Sequence, residues 1–335
     1  MNNEFNLMNI DMPRVTILLI AYNQETYIEE ALIGVTSQDY HNLEIIVSDD
    51  ASTDETYNMI SSFADSYVGR HKLICNRNIK NLGISGNLNK AISLSSGELF
   101  FIAAGDDVSL PERVSVVVKK WMSLSKKPDL LASYLYDLDR NGIQHEIIGV
   151  DDLEPYISVD HWLTKHPKLI GAAQAWTRRL YDEFSGMPEG IVAEDMVMSF
   201  RAMAGGGAVT IKTPLVLYRR GGITYKKNHL SSSSVISAFT KKVKNTKIEL
   251  LHMLEVAARY NGSPELMQYF VGLYKKECLI ESVLMIEHSR LERFRRLLFA
   301  KDIRVSLRFR LFFYAVFPIA LKPFFYLKGI IKGGV

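Results

Sequence analysis

Cysteine is nearly missing from this chain of 335 residues, where Cys75 and Cys278 are the only two. Far apart and in unlike contexts, they exclude a disulfide framework and a cysteine-based metal site, and they suit a reducing compartment. Long apolar runs are missing too: no stretch of about 20 apolar residues is free of charge and proline, so no spanning helix is predicted. Residues Met1 to Met12 lack the basic-then-apolar pattern of a secretion signal, and the expected location is the cytoplasm. No internal repeat occurs. His161 and His166 stand five apart, off any common helical face, which removes a histidine metal site. The triple Gly205-Gly206-Gly207 follows a helical pattern and precedes no Gly-Lys-Ser/Thr, so it reads as a helix end and not as a phosphate cradle.

What is present is ordinary in composition and uneven in layout. Hydrophobic residues make up 47% and charged residues 23%, enough for a globular chain with a sizeable core. The formal net charge of +3 conceals a division. Residues 1–234 hold 22 Lys and Arg against 29 Asp and Glu, a net of −7, whereas residues 235–335 hold 18 against 8, a net of +10. Two parts with different neighbours are implied, and the basic part favours an anionic surface such as phospholipid or nucleic acid.

In the first third, short β-branched runs alternate with helical patterns: Val15 to Ile20 then a helix from Glu25, Leu43 to Val47 then a helix from Asp54, Lys72 to Ile74 then Ile84 to Leu94. A fourth run, Leu99 to Ala104, meets Gly105-Asp106-Asp107, and Pro111-Glu112 opens another helix. This rhythm predicts an α/β fold, a mostly parallel sheet flanked by helices with ligands at the carboxyl ends of the strands. The residues that follow each strand are therefore the candidates: Tyr22-Asn23, Asp49-Asp50, Asn76 to Asn78 and Asp106-Asp107. Further on, Leu130 to Ile148 is strand-like with a turn at Asn141-Gly142. Helices are predicted near Val159 to Lys165, Thr177 to Phe184 and Glu194 to Ala204, and a strand over Ala208 to Tyr218. Ser231 to Ser234 marks a linker or helix start, beyond which helical periodicity runs from Val235 to Glu287. The predicted division is a catalytic domain over 1–230 and a helical, basic and aromatic extension over 231–335.

Carboxylates at the ends of two strands of one parallel sheet meet in one crevice, where a divalent cation carrying a diphosphate finds hard oxygen ligands. Asp106 and Asp107 are candidates to hold Mg²⁺ or Mn²⁺, a Lewis acid for a departing nucleoside diphosphate. The competing reading is capping: Asp106 or Asp107 ahead of Pro111, and Ser52 to Glu55 as a capping box behind Asp49-Asp50.

The ordered set Val15-Thr16-Ile17-Leu18-Leu19-Ile20-Ala21-Tyr22-Asn23, Gln38-Asp39-Tyr40, Glu44-Ile45-Ile46-Val47-Ser48-Asp49-Asp50-Ala51-Ser52-Thr53-Asp54, Asn81-Leu82-Gly83, Asn89-Lys90-Ala91, Gly97-Glu98, Gly105-Asp106-Asp107 and Glu194-Asp195 resembles the family 2 glycosyltransferases of the GT-A fold. The resemblance runs from Pro13 to about Thr224 and points to bacterial enzymes of surface-polysaccharide synthesis, such as O-antigen or capsule. It implies that Ala21, Tyr22 and Asn23 line a nucleoside pocket, that Asp50 reads the base, with a lean to uridine or deoxythymidine, and that Asp106 and Asp107 bind ribose and metal. It also implies that Asp195 is a general base, taking the acceptor hydroxyl's proton as that oxygen attacks the anomeric carbon opposite the diphosphate and inverts it. The alternative for Glu194-Asp195 is an acidic first helical turn facing the helix dipole.

The chain departs from the family pattern twice: Ala104 stands where many relatives have an acid, and Gly221 where they often have a histidine. Arg219 or Arg220 is a candidate diphosphate contact in its place, or a solvated basic pair. Trp176 is a candidate acceptor-stacking plane, with core burial as the competing reading. The Gln-X-X-Arg-Trp pattern of processive synthases is absent, which favours addition of a single sugar. The rivals are a sugar nucleotidyltransferase, which should carry a glycine-rich loop with Arg and Lys after the first strand, and an inactive scaffold, which should have broken acidic pairs.

Residues Arg290 to Lys332 hold eleven Lys and Arg against two acids, interleaved with Phe294, Phe299, Phe309, Phe312, Phe313, Phe317, Phe324, Phe325 and Tyr326. Pro318, Lys322 and Pro323 break the one apolar stretch. This composition suits a helix lying among anionic lipid headgroups, and hence a peripheral position on the cytoplasmic face and a glycan or lipid-linked acceptor. A helical subdomain packing its aromatics inward, or a homodimer contact, is the alternative; no nucleic-acid module motif accompanies the charge.

Overall fold

The computed structural model describes residues 12–220, 231–284, 289–301, 303–321 and 323. Gly221, Glu287, Lys322, Phe324, Phe325 and Tyr326, on which the sequence reading drew, lie outside the described residues. The chain divides into two compact units, residues 1–224 and 225–335.

The first unit opens with β1 (Val15–Ala21), α1 (Ile28–Thr36), β2 (Leu43–Asp49), α2 (Thr56–Ser66), β3 (Lys72–Arg77), α3 (Gly83–Ser93), β4 (Leu99–Ala104), the two-residue β5 (Val108–Ser109) and α4 (Arg113–Ser123). Then come β6 (Leu130–Leu138), β7 (Gln144–Ile148), α5 (His161–Thr164), a 3₁₀ turn at Gly171–Ala173, β8 (Gln174–Thr177), α6 (Arg178–Asp182), α7 (Glu194–Ala204) and β9 (Ala208–Arg219). β1, β2 and β4 read VTILLIA, LEIIVSD and LFFIAA and are buried along almost their whole length. Such continuous apolar runs form strands covered on both faces, for which parallel pairing through helical crossovers is the usual solution.

The nine-stranded sheet runs β3-β2-β1-β4-β8-β6-β9-β5, with β7 paired to β6. β3, β2, β1 and β4 are mutually parallel, whereas β8 is antiparallel to both β4 and β6. The sheet is thus mixed, parallel in the half that the sequence rhythm revealed. β8 lies next to the stretch read as a helix from Thr177; only the five-residue α6 follows it. On one face Ile28, Leu32 and Val35 of α1 and Val114, Val117 and Trp121 of α4 pack on Ile17, Leu19, Ile45 and Phe101 of the strands. Burying each such side chain is worth about 1.5–3 kcal/mol.

The second unit is helical: α8 (Ser232–Arg259), α9 (Pro264–Leu284), α10 (Arg290–Phe299), α11 (Val305–Leu311), a π turn at Phe312–Val316 and a 3₁₀ turn at Pro318–Leu321. Ser231 caps α8 by accepting the Ser234 amide, and Ser289 caps α10 by accepting the Glu292 amide. Its core joins Val243, Ile280 and Val283 to Leu297, Ile303, Leu311 and Val316. Part of the basic, aromatic end is therefore structural: Phe312 packs on this core and edge-to-face on Phe294 and Phe313.

Candidate active site

Parallel register aligns the strand ends. Ala21 pairs with Asp49, and Ile20 with both Ser48 and Ala104, so Tyr22-Asn23, Asp50 and Gly105-Asp106-Asp107 all leave the sheet at one edge. The first two loops are stitched together. Asn23, in the left-handed region at φ 53°, donates its amide to Ser52 Oγ at 2.9 Å and accepts the Thr53 amide on Oδ1 at 2.8 Å. Gln24 N donates to Thr56 Oγ1 at 2.6 Å. The expected capping box at Ser52–Glu55 does not form: Ser52 Oγ donates to Asp49, and it is Asp54 Oδ1 that accepts the Thr56 amide at 3.1 Å.

Asp50, 3% exposed, accepts Leu82 N at 2.8 Å and Asn78 Nδ2 at 2.9 Å on one oxygen, and Gly83 N at 2.9 Å on the other. The carboxylate thereby anchors the first turn of α3. A carboxylate has about four lone-pair sites, so three protein donors do not exhaust it.

Gly105 begins the acidic turn, and a Cβ there would come 2.3 Å from Gln24 Oε1. Asp107 N donates to Ala104 O at 3.2 Å, folding the chain back so that Asp107, 6% exposed, accepts the Arg219 amide on Oδ1 at 2.7 Å. Burial, and then the Asp106 charge, push the Asp107 carboxyl well above the usual carboxylate range despite that amide and the nearby Arg113 and Arg219. Arg113 lies beneath. Its guanidinium donates to Ser109 Oγ at 2.9 Å and to the carbonyls of Ile102 at 2.8 Å, Ala172 at 2.7 Å and Gln174 at 3.3 Å. Burial lowers its pKa to about 10, with Asp107 opposing that shift.

Among the described residues no group of three or more His, Cys, Asp or Glu converges on a metal position. Two hard carboxylates, one of them buried beside a like charge, do fit an ion that arrives with a diphosphate. Mg²⁺ in such sites takes one or two protein carboxylates and completes its shell with phosphate oxygens and water.

Arg219, a candidate diphosphate contact in the sequence, has its side chain committed elsewhere. Buried on β9, it donates to the Asp106 carbonyl at 3.0 Å, the Asp139 carbonyl at 3.2 Å and the Glu30 carboxylate at 2.7 Å, and it stacks over Tyr27 at 4.3 Å. It holds the acidic turn in place. Arg220 is exposed and paired with Asp137. Trp176 is fully buried, its indole donating to Gln174 Oε1 at 2.7 Å; it is core and offers no stacking face.

Glu194 and Asp195 form the acidic first turn of α7. Asp195 Oδ1 accepts the Met196 amide at 2.8 Å, and its carbonyl accepts Ser199 Oγ at 2.6 Å. Gly171 lies against them: a Cβ there would come 2.9 Å from Glu194 Oε1 and 3.5 Å from Asp195 Cβ. The phenol of Tyr218 is pushed up by burial and then by Asp107, Asp106 and Asp195 in that order, so all three carboxylates lie in electrostatic reach of it. Tyr218 and Arg113 were not singled out in the sequence. Strand alternation puts Tyr218 on the face opposite Arg219, so the arginine gave no signal for it, and nothing marked Arg113 as other than a solvated helix charge.

Residues 16–169, from the first strand past the acidic turn, match the family model described as Glycosyl transferase family 2. Over that segment, a little under half of its length, the chain is similar to this family. An uncharacterized glycosyltransferase of Methanocaldococcus jannaschii is 27% identical to it over 181 residues, 52% of this chain and 61% of that one. A GalNAc(5)-diNAcBac-PP-undecaprenol beta-1,3-glucosyltransferase of Campylobacter jejuni is 32% identical over 109 residues, 32% of this chain and 35% of the relative. These matches span less than two thirds of the relatives' own lengths. Among solved structures, S. aureus TarS 1-349 in complex with UDP-GlcNAc superposes with a TM-score of 0.53 at 16% identity, over 94% of this chain and 92% of the other. The mannosyltransferase PcManGT of Pyrobaculum calidifontis in complex with GDP-Man and Mn²⁺ gives 0.51 at 17% identity, over 92% and 87%. At such identities the likeness is one of fold, and that fold is GT-A.

Proposed function

We propose that the protein moves a single sugar from a nucleotide-diphosphate donor to a hydroxyl of a glycan or lipid-linked glycan, with inversion, in surface-polysaccharide synthesis. The observation that carries this reading is the parallel register that brings Tyr22-Asn23, Asp50 and Asp106-Asp107 out of the sheet at one end, in a segment similar to the glycosyltransferase family model. Donor chemistry needs charge neutralisation on one side of the anomeric carbon and a base on the other. In this reading Tyr22 and Asn23, the latter fixed by Ser52 and Thr53, border the nucleoside, and Asp50 adds a base contact with its remaining acceptor capacity. Asp106 and Asp107 hold the divalent ion, Mg²⁺ or Mn²⁺, which when bound supplies Lewis-acid stabilisation to the diphosphate. Arg219 holds that turn at the Asp106 carbonyl, and Arg113 holds the strand before it at the Ile102 carbonyl. Asp195 takes the acceptor proton as the hydroxyl oxygen bonds to the anomeric carbon.

The lipid-linked acceptor draws support from the PP-undecaprenol in the name of the Campylobacter jejuni relative. Attachment to an anionic membrane surface, on the cytoplasmic face, draws support from α10, where Leu291, Phe294 and Leu298 share an exposed face flanked by Arg290 and Arg295. No helix among the described residues is long and apolar enough to cross a membrane.

The test is thermal stabilisation by a panel of uridine, deoxythymidine and guanosine diphosphate sugars, with and without Mn²⁺. At least one should raise the melting temperature only with the ion, and Asp107→Asn should lose that response. Stabilisation by none, or an unchanged response in Asp107→Asn, overturns the reading.

A further inference from the structure

The C-terminal unit contains a cavity of about 420 Å³ between α8, α9 and α11, within the ~300–1,000 Å³ span of small-molecule sites. A second space of about 440 Å³ adjoins it and shares Lys276, Leu307 and Arg310. Val235, Ala238, Phe239, Lys242 and Val243 of α8 line the first cavity at spacings of three, four, seven and eight, a single helical face. Four of the five are apolar, and with Ile280 and Leu307 they make an apolar wall continuous with the core of this unit.

The mouth is the opposite in character. Lys242 borders the first space, Arg304 the second, and Lys276 and Arg310 both. None of the four makes an ion pair among the described residues. Glu277 is the one carboxylate among the lining residues, and burial pushes it up while Lys276 and Lys242 draw it back. Long cationic side chains keep their heads in water while their stems cover apolar surface. Four cations against this one carboxylate leave an excess of positive charge around the mouth that a bound anion would relieve.

We propose that this cavity binds one molecule of a phosphate-headed lipid, the head held by Lys242, Lys276, Arg304 and Arg310 and the start of the chain laid along Val235, Phe239, Val243 and Ile280. A free phosphate leaves the apolar wall unused, and a neutral hydrocarbon leaves the cations unpaired. The assignment rests on this unit alone and on no part of the transfer reaction.

The test is calorimetry on the full chain with inorganic phosphate, butyl phosphate, octyl phosphate and octyl glucoside, all below their micellar concentrations. Each methylene buried should tighten binding by about fourfold, so octyl phosphate should bind at least tenfold more tightly than butyl phosphate and than octyl glucoside. Lys276→Glu with Arg310→Glu should weaken octyl phosphate at least tenfold, and Ala238→Trp should do the same by filling the wall. Three results overturn the proposal: inorganic phosphate binding as tightly as octyl phosphate, which makes this an anion site; octyl glucoside binding as tightly, which makes it an apolar one; or adhesion to phosphatidylglycerol vesicles with no octyl phosphate binding, which makes it a surface effect. The chain-length series needs no variant and stands even where Ala238→Trp fails to fold.

Discussion

Arg113, in the first unit, is 1% exposed and donates to one hydroxyl and three backbone carbonyls. Arg310, in the second, stands exposed at the mouth of a cavity with no ion pair among the described residues. The same guanidinium is an internal strut in one place and an open valence in the other. Around the acidic turn the Asp107 carboxylate, the Asp106 carbonyl and the two arginines are bonded within the protein before a ligand comes, the arrangement that lets fixed charge act without reorganisation. In the helical unit the cations await order from the guest, and the exposed Phe299 and Phe309 agree with a surface left for something else to cover.

The contrast is broken most directly by removing each arginine. Arg113→Met strands carbonyls from three elements and should lower the free energy of unfolding by about 3–5 kcal/mol, the scale of unpairing a buried charge network. Arg310→Met should change it by less than about 0.5 kcal/mol. Urea denaturation of both variants decides, and equal losses would erase the distinction.

Asp195→Asn sharpens the comparison inside the first unit by leaving structure and removing a proton acceptor. Turnover should fall by about 10²-fold or more with donor affinity unchanged, and Glu194→Gln should fall less. Near-normal transfer by Asp195→Asn in a steady-state assay removes it from the mechanism.

Two carboxylates of the first unit should respond to pH with opposite signs. Burial alone would raise Glu44, but hydrogen bonds from Ser96 and Thr16 and the Arg14 charge outweigh it and hold the group below its usual value. Its contribution is therefore present above the unfolded value of about 4.3 and is lost as pH falls through the folded one. Glu44→Gln should cost about 1–3 kcal/mol at neutral pH, a gap that closes in acid. Asp107 is raised, so its ionised form weighs against folding in the metal-free protein, and that penalty is relieved as pH falls through the raised value. Asp107→Asn should then stabilise the metal-free protein by about 1 kcal/mol while losing the response to Mn²⁺. Melting temperatures across pH 4 to 8 without metal test both signs; a loss of stability in Asp107→Asn would contradict the second.

The parallel half of the sheet was legible because each of its inner strands is long, β-branched and followed by a polar turn. The acidic turn after β4 was legible for the same reason. β8 was not, since four residues that open on Gln174 are too short to show a period and their pairing with β4 and β6 is entirely non-local. Trp176 and Arg219 were candidates for reaching a ligand, against core burial for the one and a solvated pair for the other, because an aromatic and a cation beside a site look available in one dimension. What withdraws them is burial by distant segments, the strands carrying Phe100 and Leu130 that pair on either side of Trp176 for one, and Glu30, Tyr27 and Asp139 for the other.

The end of β9 has a mechanical meaning as well. Arg219 is its last residue, its amide bonded to Asp107, and the next amide, of Arg220, is bonded to Leu138 O at 2.9 Å. A force applied to the chain beyond residue 220 would therefore load these two bonds first, peeling the strand from its free end before shearing it along β6. Tension at that tether would register at the Asp107 carboxylate while most of the sheet was still unstrained.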